Sequence, residues 1–117
     1  MASRDGTAEL ASDLLAALDK DGERALDELD WARRFSELGN EMDAGRSFEE
    51  VYGLALGDVC GLEGSLDRID DEHVLGNAVV SECRYLTHWA TGSDPDGYKW
   101  LGIALRRLAE IADRSEG

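Results

Sequence analysis

The chain has 117 residues, enough for one domain around one core and too few for two. Twelve basic residues stand against 26 acidic ones, giving a net charge of −14 and a pI near 4.3. A surface of that sign repels phosphates and disfavours direct nucleic-acid binding through a basic patch, while 43% hydrophobic content, with Trp31, Trp89 and Trp100 as anchors, speaks for a packed core rather than disorder.

The acidity has three readings. It is a solvated, aggregation-resistant coat, an adaptation to high intracellular salt where self-repulsion is screened, or a face that engages a basic partner in place of nucleic acid. Lys20 and Lys99 are the only lysines against ten arginines, a composition that suits a salt-adapted (halophilic) or GC-rich source. No stretch approaches the ~20 apolar residues of a membrane span, so no membrane partner is expected. Met1 to Asp5 lacks the basic start and apolar core of an export signal, and two cysteines without one read as free thiols. The expected location is the cytoplasm.

The first helix is expected from about Ala8 to Leu18, capped by Thr7, with Leu10, Ala11, Leu14, Leu15 and Leu18 on one side. Asp19-Lys20-Asp21-Gly22 interrupts it. From Glu23 to Asp43 the pattern is helical but changes face. Ala25, Leu26, Leu29 and Ala32 point one way, and Trp31, Phe35, Leu38 and Met42 the other, so a continuous helix sandwiched between two neighbours is expected. Ser47 and Glu50 form a capping box ahead of a third helix in which Phe48, Val51, Tyr52, Ala55, Val59 and Leu62 share a face. The segment from Gly61 to Asp70 reads as loop or a short turn. A fourth helix follows from Glu72 to Ala90, capped by Asp70 or Asp71. Residues 91–97 form a loop holding the only proline. Pro95 opens the fifth helix, which carries Trp100, Leu101, Ala104, Leu105, Leu108, Ile111 and Ala112 on one stripe to about Arg114. No period-2 alternation appears. The expected fold is all-α, a five-helix antiparallel bundle in a single domain over 1–117, with 1–6 and 115–117 frayed.

Several constellations bear on chemistry. Gly53, Gly57 and Gly61 recur every four residues; within one helix they would cost about 3 kcal/mol unless another helix or a second copy packs closely there. Ile103, among the basic residues of the last helix, is a further candidate contact. The other reading ends the third helix near Leu56 and leaves the later glycines in loop. Glu82 falls amid Leu75, Ala78, Val79, Tyr85, Leu86 and Trp89 on the apolar face of the fourth helix. A buried carboxylate there needs an arginine or tyrosine partner, or does proton chemistry. Cys60, His73, Cys83 and His88 match no standard zinc spacing, so no metal or cofactor is expected.

Three resemblances are short. Asp19, Asp21, Gly22 and Glu28 partly resemble the calcium loop of the EF-hand, departing from it at Ala17 and Arg24. Leu14 to Leu29 resembles the opening of a winged-helix DNA-binding domain, without the basic recognition helix or wing that should follow. Arg68 and His73, spaced R-x4-H, resemble the pattern of helical ribonucleases of the HEPN superfamily. That resemblance implies RNA cleavage in a paired active site.

With no phosphate loop, nucleophile elbow or H-E-x-x-H, the expected function is non-enzymatic protein–protein binding. The sharper form is an inhibitor or immunity-type protein covering the basic, nucleic-acid-binding surface of its partner. Asp27, Asp30, Glu37, Glu41, Glu49 and Glu50 would steer that encounter. The partner is a basic protein or a second copy of the chain (a homodimer). The alternatives are a salt-adapted regulatory or complex subunit, and a small hydrolase or ribonuclease-like enzyme using Glu82 or Arg68 with His73.

Overall fold

The computed structural model describes residues 2–25, 31–37, 46–89 and 95–116. Among them are six α-helices and no strand: α1 (Ala2–Asp21), α2 (Trp31–Ser36), α3 (Arg46–Tyr52), α4 (Val59–Ser65), α5 (Glu72–Arg84) and α6 (Pro95–Glu116). Short 3-10 turns follow α1 at Gly22–Arg24 and α4 at Leu66–Arg68, and α5 continues as a π-turn over Tyr85–Trp89. The fold is all-α.

The two long helices lie side by side. Ala8 and Glu9 of α1 share a groove with Ala109 and Asp113 of α6, while Leu18 shares one with Tyr98 and Gly102, so the pair runs antiparallel. Leu10, Ala11 and Leu14 from α1 meet Leu101, Ala104, Leu105, Leu108 and Ala112 from α6 in one core cluster. Helix α5 is enclosed more completely. Six consecutive residues, Leu75 through Val80, are buried, more than a full turn, as α2, α3 and α6 all pack on it. Asp71 caps α5, its carboxylate accepting from the Val74 N–H at 3.1 Å. At the far end the Thr87 hydroxyl donates to the Cys83 carbonyl at 2.7 Å, competing with the helical ladder where the π-turn lies.

Aromatic edges tie the short helices on. Phe48 stands edge-on to Tyr52 (centroids 5.3 Å apart) and to Trp100 (5.8 Å), joining α3 to α6. Trp31 donates from Nε1 to the Ala25 carbonyl at 2.9 Å and carries the Arg34 guanidinium over its ring. Buried Arg107 donates from Nε to the Ile69 carbonyl at 2.9 Å, satisfying the turn that leads into α5.

Several expectations need correction. Among the described residues there are six α-helices where five were expected, with α1 beginning at Ala2 and α6 running to Glu116. Thr7 is then a buried residue inside α1 and not its cap. Asp19 and Asp21 belong to α1 instead of a loop. Ser47 is the second residue of α3 and does not precede it. The third helix stops at Tyr52, and a separate α4 occupies the stretch read as loop. The cause is backbone geometry: Gly53 and Gly57 hold φ of +68° and +86°, left-handed conformations that reset the helical phase. Val51 is accordingly 56% exposed. The continuity of helix 23–43 rests on residues 26–30 and 38–45, outside the described ones.

Gly53→Ala should lower the unfolding free energy by about 1 kcal/mol, because the left-handed φ disfavours a Cβ although the space is open. Gly64→Ala, within α4 and equally open, should raise it by about 0.5–1 kcal/mol. Urea denaturation of the two variants against the parent checks the opposite signs.

Candidate functional site

Tyr52 joins separate parts of the acidic stretch between Glu49 and Glu72. The Tyr52 carbonyl, at the end of α3, accepts from Arg68 Nη2 at 2.7 Å, and its hydroxyl accepts from the Asp71 N–H at 3.1 Å. The same guanidinium reaches Ser65 Oγ at 3.4 Å and lies 6.0 Å from the centre of the Tyr52 ring. These contacts bind α3, the 3-10 turn and the start of α5 into one unit. Asp58 and Asp71 serve as helix caps within it, Asp58 accepting from the Gly61 N–H at 3.1 Å. Glu49, Glu50, Glu63, Asp67 and Asp70 are exposed and make no ion pair among the described residues. Val51 puts an apolar surface beside Glu49 and Glu50.

A second feature surrounds Glu82. This carboxylate is only 5% exposed. It lines a cleft of about 360 Å3 with Leu56, Gly57, Ser81, Tyr85, Asp96 and Gly97, where the α3–α4 connection meets the end of α5 and the start of α6. A Cβ added at Gly57 would stand 3.7 Å from Glu82 Oε2, so the glycine leaves the carboxylate accessible from that side. Tyr85 is half exposed at the mouth. Of the HEPN-like pair, Arg68 donates to the Tyr52 carbonyl, and His73 is an exposed residue in the first turn of α5.

The third feature is the groove between α1 and α6. Two adjoining hollows of about 550 and 790 Å3 share Leu15 and Arg106. Half-buried Leu15, Leu18, Tyr98 and Ala109 form its apolar floor. Gly102 lies within it, and a glycine inside an apolar-striped helix was the signal that could have pointed to this surface.

The remaining sequence candidates fall as follows. Glu37, in the turn after α2, is exposed, whereas Asp27, Asp30 and Glu41 lie outside the described residues. Gly53 and Gly57 are not helical, and only Gly61 is, so the three make no stripe along one helix. Ile103 is half buried against the core rather than standing on the exposed face. Cys60 is exposed and Cys83 buried, both as free thiols. Among the described residues no three of His, Cys, Asp and Glu gather as metal ligands, and no helix is long and apolar enough to cross a membrane. No family model, no curated protein and no solved structure matches the chain.

If Arg68 serves to hold Tyr52, Arg68→Ala should lower the unfolding free energy by about 1–2 kcal/mol. His73→Ala should stay within about 0.5 kcal/mol of the parent. Chemical denaturation of both separates a structural arginine from an idle surface histidine.

Proposed function

We propose that this protein acts by non-covalent binding of a basic protein surface, through the acidic segment gathered around Tyr52. Between Glu49 and Glu72 the chain carries Glu49, Glu50, Asp58, Glu63, Asp67, Asp70, Asp71 and Glu72 against Arg68 alone. The observation that carries the reading is the fate of that arginine. Its guanidinium is turned onto the Tyr52 carbonyl and makes no ion pair with the exposed carboxylates among the described residues, so they outnumber it unpaired. A field of one sign on a rigid support raises the encounter rate with a partner of opposite sign. Exposed Val51 supplies an apolar contact within the charged rim, the arrangement that lets an interface exclude water around a few anchors. A basic nucleic-acid-binding surface is the partner such a field fits, which makes the protein an inhibitor or immunity-type factor.

Capture of partners from an extract of the native host, read by mass spectrometry, tests this when the parent and two charge-matched variants are compared. Glu49→Lys/Glu50→Lys should lose a basic partner by about tenfold or more. Glu9→Lys/Asp113→Lys, with the same change in net charge on the far α1–α6 face, should lose less than about threefold. Equal loss from both variants means that bulk charge, and not this segment, does the binding.

A further inference from the structure

Helix α6 presents an ordered set of charges to solvent that the core does not use. Lys99, Arg106, Glu110 and Asp113 are exposed and fall along one side of the helix, the two bases before the two acids, with exposed Asp96 in the first turn and exposed Arg114 in the last. Gly102 interrupts that side, and nothing lies within 4 Å of the place where its Cβ would stand. Packing inside the chain therefore does not explain a residue that costs about 1 kcal/mol relative to alanine in a helix. Beside it runs the α1–α6 groove with its half-buried apolar floor.

The order Asp96, Lys99, Arg106, then Glu110, Asp113, Arg114 sets opposite charges against each other when the helix meets an antiparallel copy of itself. We propose that two copies of this chain pair through the α1–α6 face, with each α6 antiparallel to that of the other copy. Lys99 of each copy then lies beside Glu110 and Asp113 of the second, and Arg106 passes over the bare backbone at Gly102. Such an interface is isologous: the same patch serves both sides. Its size is adequate. At 1.5 Å per residue the 22 residues of α6 span roughly 33 Å, and two helix widths give roughly 600 Å2 per copy, near the lower bound for a specific dimer. The net charge of −14 per copy opposes association at long range. That repulsion is screened beyond about 8 Å at physiological salt, whereas paired charges in contact are not. This surface is separate from the acidic segment around Tyr52, so either proposal can fail without the other.

Sedimentation equilibrium of the full chain at physiological salt, from micromolar to near-millimolar concentration, tests the pairing. A dimer is expected for the parent. Lys99→Glu alone, and Glu110→Lys with Asp113→Lys, should each weaken it about tenfold or more, and the triple swap should restore it to within about threefold. Gly102→Leu should keep the helical circular-dichroism spectrum and dissociate the dimer. A parent that stays monomeric throughout, a folded variant that stays fully dimeric, or a triple swap that does not recover association would each overturn the proposal.

Discussion

The enclosure of α5 is the constraint on which the rest of the structure depends. A helix buried from Leu75 through Val80 has no solvent side over that turn, so its neighbours must cover every face. The chain meets this with α2, α3 and α6 packed around it and with small residues, Gly76 and Ala78, where the helices approach. Farther along the same helix Glu82 is also buried, at 5% exposure, while Tyr85 beyond it reaches solvent. The turn that enters α5 must also satisfy its backbone under cover. Buried Arg107 does so by donating from Nε to the Ile69 carbonyl, which locks α6 to the α5 entry.

How much of this was legible in the sequence depended on whether the signal was local. Asp71 caps α5 and Pro95 opens α6 because each acts on its own few residues, and the structure has both at those positions. The stripe Trp100–Leu101–Ala104–Leu105–Leu108 was equally plain, since an unbroken helix keeps its phase for 22 residues. The stretch from Arg46 to Arg68 was not. A glycine every four residues fits a helical face and fits a pair of turns, and only φ distinguishes them. With the phase carried through Gly53, the separate Val59–Ser65 helix reads partly as the end of the third helix and partly as loop or a short turn. The 3.6-residue period holds within one helix and carries no information across a left-handed residue.

The candidate surfaces were only partly legible for a different reason. Charge can be counted in a sequence, but its neutralisation cannot. Arg68 and Arg107 look like basic surface residues in the chain, yet one is spent on the Tyr52 carbonyl and the other is buried against Ile69. Arg107 still touches Glu110, at 3.4 Å, while that carboxylate remains half exposed. A surface pair of this kind contributes little by itself. What matters is how far each arginine's reach is used inside the fold.

That distinction separates the two faces of the molecule. Between Glu49 and Glu72 Arg68 binds the Tyr52 carbonyl and no carboxylate among the described residues, and the exposed acids leave a net negative field suited to a partner of opposite charge. Along α6, Lys99 and Arg106 remain exposed beside Glu110 and Asp113, so both signs stand on one helix and the pattern can be matched by its own reversed copy. A net charge of −14 is therefore not one property spread evenly over the chain. The exposed positions carry the two signs unevenly, so the acidic segment and the mixed side of α6 present different chemistry to the solvent.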